Sequence, residues 1–335
     1  GKSEVPYLVS AWQHLVGYEY GAQTFADAYV DFVKKWDWQW VKVNPRACYY
    51  AEAWGSQYDK NNYAGYIIPK KIKARINNSD DVNSISKLDV TTNSSFVEAF
   101  EAVKTIRERL QDRAVVQTLF SPLSVLLQLA DLPLYPGDEY ATPEVSIDDV
   151  IFSQPKVAKQ ALQAITDTLV DYAVRLVTPV EQGGAGLDGI FYAVTGTVSD
   201  DYFDAARYAE FSKPYDQVII DAVHKANPHA TVILHTCRSH SHPEWFDTLG
   251  VEAIHWDQYA QGNPHADIAL RSTPVAGANF REFDPDKSAE QVQKDIEETI
   301  RLRGSQPFLL APSCTVTTPA NESSLDVLSK ARIVQ

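Results

Sequence analysis

Short apolar runs alternate along the chain with longer stretches in which apolar residues recur every three to four positions. The short runs predict strands: Trp40-Val41-Lys42-Val43, then residues 114–120, 189–194, 230–234, 251–254, 275–278 and 308–311. The longer stretches predict helices. Within 95–112, Phe96, Ala99, Phe100, Val103 and Ile106 fall on one helical face. Residues 156–176 form a long amphipathic pattern, and 205–225, 289–303 and 323–332 read as further helices, with short ones at 124–129 and 243–249. Trp36, Trp38 and Trp40 alternate with polar neighbours, as a half-buried extended segment does.

Strands that alternate with helices over a whole chain predict a parallel sheet covered by helices. Seven or eight such units in roughly 300 residues suit a closed (β/α)8 TIM barrel. The rival, an open doubly wound sheet, carries a glycine-rich phosphate turn after its first strand. Here Trp40–Val43 runs into Asn44-Pro45-Arg46, and Gly183-Gly184-x-Gly186 precedes a strand, so it is a loop. Residues 70–95, rich in Asn, Asp and Ser, read as an excursion or lid, and 132–146 as another long loop. The expectation is one α/β barrel domain over residues 1–335, with an amino-terminal extension and long loops.

Composition narrows the function. The chain is 44% hydrophobic and 22% charged, ordinary values for a globular protein. A net charge of -14 disfavours a nucleic-acid partner, because phosphates are repelled. No apolar run approaches the roughly 20 residues that cross a bilayer, and no secretory signal is read at the amino terminus. Three cysteines without close spacing, Cys48, Cys237 and Cys314, fit a reducing cytoplasm and not a disulfide scaffold. A small-molecule substrate is expected.

In a barrel, residues just past each strand line the catalytic mouth. Those positions are Asn44 and Arg46, Phe120-Ser121-Pro122, Tyr192, His235-Thr236-Cys237, His255-Trp256-Asp257, Asn279 and Ser313-Cys314. His235 and Cys237 stand at i and i+2, which in an extended segment face one side. Cys314 follows the last strand, which closes beside the first. One imidazole and two thiolates suit zinc, and three protein ligands leave the fourth position open, as catalysis requires. Each cysteine also fits as a small buried residue, as Cys48 does. His240 and His242 are alternative ligands or surface polar residues. His14 either reaches the mouth or is structural. Asp257 and Asp188 are candidates for acid–base work or for orienting a ligand histidine; Tyr192 is a further catalytic candidate. Asn44, Arg46, Phe120, Arg238, Trp256 and Asn279 are the expected substrate contacts.

Several stretches resemble the uroporphyrinogen decarboxylase superfamily. They are Ile233-Leu234-His235-Thr236-Cys237, Gly262-Asn263-Pro264, and Leu310-Ala311-Pro312-Ser313-Cys314 followed by Thr318-Pro319-Ala320-Asn321-Glu322. Residues 118–124 are similar to the superfamily's Gly-x-Pro-x-Thr turn, and 32–55 to its first strand and loop. The resemblance implies a (β/α)8 barrel, often a homodimer, with one of two kinds of site. The decarboxylases grip substrate carboxylates through an Arg-Gln-Ala-Gly-Arg motif; residues 12–18 here hold no arginine. Their tyrosine after the proline turn and their late Gly-His-Gly are absent too, the latter replaced by Ser313-Cys314-Thr315. The other branch resembles methylcobamide:coenzyme M methyltransferase, whose zinc ligands, His-x-Cys and a distant Cys, match His235, Cys237 and Cys314. Where that branch carries Gly after the first Cys, this chain has Arg238. The resemblance implies zinc-dependent methyl transfer from a corrinoid, carried by a partner protein, to a thiol. The competing readings are a cofactor-free decarboxylase of a smaller acid, using Arg46 and Arg238, and a non-catalytic barrel with a structural metal.

Overall fold

The computed structural model of the chain describes residues 6–64 and 68–333. Ten strands are present among these: β1 Tyr7–Val9, β2 Trp40–Val43, β3 Gln57–Ala64, β4 Ile68–Lys73, β5 Ala114–Phe120, β6 Gly189–Thr195, β7 Thr231–Thr236, β8 Ala253–His255, β9 Thr273–Ala276 and β10 Phe308–Leu310. Eight of them pair in parallel in the order β1-β10-β9-β8-β7-β6-β5-β2. The remaining gap, between β1 and β2, is crossed by Gln39, whose N–H donates to Val9 O at 2.9 Å and whose Oε1 accepts from Val9 N at 2.9 Å. The fold is thus a nearly closed (β/α)8 barrel. Strands β3 and β4 pair antiparallel as a hairpin outside it.

The helices are α1 Ala22–Trp36, α2 Tyr49–Ala53, α3 Ser94–Arg109, α4 Pro122–Leu129, α5 Pro155–Val177, α6 Ala205–Phe211, α7 Lys213–Ala226, α8 Glu290–Arg303 and α9 Glu322–Lys330. Their starts follow local chemistry. Asn93 accepts from the N–H groups of Ser95 and Phe96, Ser121 from Ser124 with Pro122 in the first turn, and Asn321 from Ser323 and Ser324.

Strand period two sorts the core into two parts. The barrel interior holds Trp40, Val116, Phe191, Ile233, Ala253, Val275 and Ala311, capped by Trp12. The opposite faces pack against the helices in a larger cluster.

Three expectations change. The amino-terminal stretch is more than an extension, because Tyr7–Val9 supplies the strand beside β10. Trp36 is not extended: it ends α1, and the left-handed Asp37 stops that helix before Trp38 and Trp40 continue into β2. The helix expected over 205–225 breaks at Ser212, where Pro214 follows in the first turn of α7.

Candidate metal centre and active-site mouth

His235 lies near the end of β7, and Cys237 directly follows that strand. Cys314 follows β10 across the mouth. One ligand atom from each of these three side chains lies within 4.8 Å of the others, and the two sulfurs are 3.7 Å apart. The loops that carry them are pinned. Cys237 N–H donates to Thr195 O at 2.9 Å, and Thr236 Oγ1 to Ser241 O at 2.7 Å. Asn263 ties the ligand loop to the end of β8: its Nδ2 donates to Arg238 O and to Asp257 O, each at 2.8 Å, and its Oδ1 accepts from Ser241 N. Ser313 N–H donates to Ala278 O, and its Oγ accepts from Phe280 N at 3.0 Å, which fixes the residue before Cys314.

A histidine relay sets the protonation of His235. His255 Nε2 is 2.9 Å from Pro312 O, which only accepts, so Nε2 carries the hydrogen. Burial and the neighbouring His235 hold the His255 pKa well below the usual range, so the ring is neutral and its Nδ1 is bare. That Nδ1 lies 2.9 Å from His235 Nδ1 and accepts its hydrogen. In neutral His235 the lone pair is then on Nε2, the tautomer a metal ligand needs. The two thiols share a proton unequally. The hydrogen bond from Cys237, 3.7 Å away, draws Cys314 well below the ordinary thiol range, while Cys237, the buried donor of the pair, is pushed up. A cation at this point replaces those protons. The donor set therefore fits a zinc ion, with His235 Nε2, Cys237 Sγ and Cys314 Sγ as its ligands.

Two cavities meet at Cys314. The inner one, about 860 Å³ counted to its open side, runs over Trp12, Tyr50, Phe120 and Phe191, with Lys42 and Asn44 in its wall. The outer one, about 590 Å³, holds Cys237, Asp257 and Phe280. His14, Tyr135, Arg238 and Thr315 line both. Lys42 is buried with its ammonium 4.8 Å from the Trp12 ring and 4.3 Å from that of Phe191, and burial pushes its pKa down to about 7. Asp257 is buried and raised above the usual carboxylate range, chiefly by burial; Arg281 Nη1 at 3.1 Å and Tyr259 N–H at 3.0 Å hold it in place.

The family model of uroporphyrinogen decarboxylase (URO-D) matches residues 47–333. The chain belongs to that family. It is 27% identical to the chloroplastic uroporphyrinogen decarboxylase 2 of Arabidopsis thaliana over 169 residues, which are 49% of this chain and 39% of that protein. The chain thus spans about two fifths of that curated relative's length. Its fold is similar to that of a methyltransferase from Methanosarcina mazei, with a TM-score of 0.71 at 16% identity over 98% of this chain and 94% of that one.

Within this member of the uroporphyrinogen decarboxylase family, the expected site residues divide sharply. His235, Cys237, Cys314, Asp257, Asn44, Arg46, Phe120 and Arg238 all reach the two cavities. Arg46, however, is already neutralised: Nε donates to Glu52 at 2.6 Å, Nη1 binds Glu98, and the guanidinium covers the Tyr20 ring. Arg238 has φ of +74°, a backbone that favours glycine. Its guanidinium sits 4.6 Å over the Tyr135 ring.

Four expectations fail on position. Asp188 precedes β6, at the end of the barrel away from the mouth, where it accepts from Val115 N and pairs with Arg107 at 3.3 Å. Tyr192 and Trp256 have the wrong strand parity. Tyr192 points into the helix layer and donates to Asp216, and Trp256 turns its N–H to Pro264 O at 2.8 Å. Asn279 caps the short turn Phe280–Phe283 and bonds Arg281, outside both cavities. His255 stood among the expected mouth positions without a role, and Lys42, Tyr135 and Gln128 were not singled out from sequence. Parity finds the first two: His255 is in phase with Asp257, and Lys42 with Asn44. His240 and His242 lie outside the group formed by His235, Cys237 and Cys314; they pair with Asp200 at 2.7 Å and Glu244 at 3.4 Å.

Burial holds the Asp216 carboxyl up at about 7, against an ordinary 3.8. The folded chain therefore keeps a proton that the unfolded chain releases. This contribution is complete below about pH 4 and is lost as pH rises toward and through 7. Asp216→Asn is expected to flatten that slope and to be more stable than the wild type at pH 8, by on the order of 2 kcal/mol. Denaturant melts at pH 5 and pH 8 check it.

Proposed function

We propose that the protein is a zinc-dependent methyltransferase that moves a methyl group from a corrinoid or similar donor to a thiol acceptor. The observation that carries this reading is the meeting of His235, Cys237 and Cys314 with a relay that leaves His235 Nε2 bare. A zinc ion there would bind the acceptor thiol in its open position and favour the thiolate near neutral pH. The sulfur–carbon bond forms as the donor–methyl bond breaks, and the donor keeps the bonding pair. Asp257, fixed by Arg281, stands beside the two cysteines to orient the incoming groups. Trp12 and Phe191 exclude water from the inner side. The donor corrinoid is carried by a partner protein, and the enzyme works as a homodimer in the cytoplasm. Among the described residues no helix is long and apolar enough to cross a membrane.

Two features favour this reading over its rivals. Three ligand side chains, not four, come together among the described residues, which suits catalytic rather than structural zinc. Arg46, one of the two cations that a cofactor-free decarboxylase would need, is already held by Glu52 and Glu98. Purified protein is expected to hold one zinc per chain by elemental analysis. It should methylate a small thiol, coenzyme M among those tried, from methylcobalamin, lose that activity to a chelator and regain it with zinc. Full activity in metal-free protein would refute the reading.

A further inference from the structure

The wall of the inner cavity contains polar atoms without partners. Lys42 Nζ donates to Asn44 Oδ1 at 3.1 Å, and no carboxylate among the described residues pairs with it. An ammonium offers only hydrogens, so Asn44 must turn its oxygen to Lys42. That leaves Asn44 Nδ2 buried and without an acceptor. Gln128 is set in the same way. Its Nε2 donates to Ala47 O at 2.9 Å, a carbonyl that only accepts, and its Oε1 is left buried without a donor. Both residues line the cavity and both are buried. Each orphaned group is a cost to the fold unless a ligand satisfies it. Between them lie flat apolar walls: Trp12 and Phe191, whose rings are 5.4 Å apart and both border the ammonium, and Phe120 stacked on Tyr50 at 4.6 Å.

We propose that this cavity is a subsite for a small ring-bearing carboxylate. The carboxylate accepts from Lys42 Nζ and Asn44 Nδ2. The ring lies against Trp12, Phe191 and Phe120, and a hydroxyl or amino substituent donates to Gln128 Oε1. Two donors match the needs of one carboxylate; a phosphate dianion demands more. The binding of this acid does not rest on the methyl-transfer reading.

The test is calorimetric titration of metal-free protein at pH 6 with 4-hydroxybenzoate, benzoate and 4-hydroxybenzamide. 4-Hydroxybenzoate is expected to saturate, with the neutral amide at least tenfold weaker and benzoate several-fold weaker. Lys42→Met, an apolar side chain of similar reach, should erase the preference for acid over amide. Asn44→Asp, which supplies Lys42 with a carboxylate of its own, should abolish acid binding, and Gln128→Leu should erase only the hydroxyl preference. Thermal melts confirm folding, and the three variants fail independently of one another. Equal affinity for acid and amide in the wild type would overturn the proposal. So would no saturable binding of any probe, or a folded Lys42→Met that keeps the preference. None of these outcomes touches the zinc reading, which the metal and methylation assays decide.

Discussion

Cys314→Ala is expected to weaken zinc binding by a hundredfold or more and to abolish methyl transfer while the barrel stays folded. Structural zinc binds with about 10–16 kcal/mol in total, so one ligand of the set carries about 3 kcal/mol, close to a hundredfold in affinity. The loss falls on the sulfur that the site already favours as thiolate, since Cys237 hydrogen-bonds to it. Two ligands remain, His235 and Cys237, and two do not hold zinc against a chelator. The fold survives because Cys314 is only half-buried and its loop is anchored by Ser313, not by the thiol. Cys48→Ala is the control. That thiol is buried 3.2 Å from Glu52, away from the metal centre, and its removal should leave zinc affinity unchanged. Competition against a chromophoric chelator measures both. A Cys314→Ala protein that binds zinc as tightly as the wild type would remove the metal centre from consideration.

The sequence showed the barrel because seven of its eight barrel strands carry four or more patterned residues or clear flanks, and patterning survives averaging. It did not show β1, although that strand is as long as β8 and β10, which were read as strands. The three side chains that meet at the mouth were legible for a local reason. His235 and Cys237 share one strand's parity, and Cys314 sits past another strand. Tyr192 and Trp256 were misplaced because proximity to a strand end was weighed without parity; one residue either way reverses the face. Asp188 was misplaced by direction, since it enters β6 rather than leaving it. Lys42 was hidden by its neighbours. A lysine inside Trp-Val-Lys-Val reads as the solvent-facing member of an alternating strand, but every residue of β2 is buried and the polar side faces the barrel axis. The hairpin β3–β4 and the loop carrying Tyr135 gave no periodic signal, yet both contribute to the mouth.

The relay predicts a different kind of loss at His255, which touches no metal in this scheme. His255→Phe is expected to lower zinc affinity by roughly 10–100-fold, the usual cost of losing the group that orients a ligand histidine. Phenylalanine fills the space, because Trp12 and Phe191 already pack on His255 at ring distances of 5.2 and 5.8 Å. It cannot accept from His235 Nδ1. The imidazole of His235 is then free to place its hydrogen on Nε2, the atom that must stay bare, and Pro312 O loses its donor at the same time. His255→Gln separates orientation from packing. Its oxygen can accept from His235 and its amide can donate to Pro312, so it should recover most of the affinity that Phe loses. Zinc affinities of the three proteins, read by chelator competition alongside thermal melts, decide it. If Gln and Phe bind zinc equally, or if both match the wild type, His255 is packing alone and the tautomer of His235 is set by the metal itself.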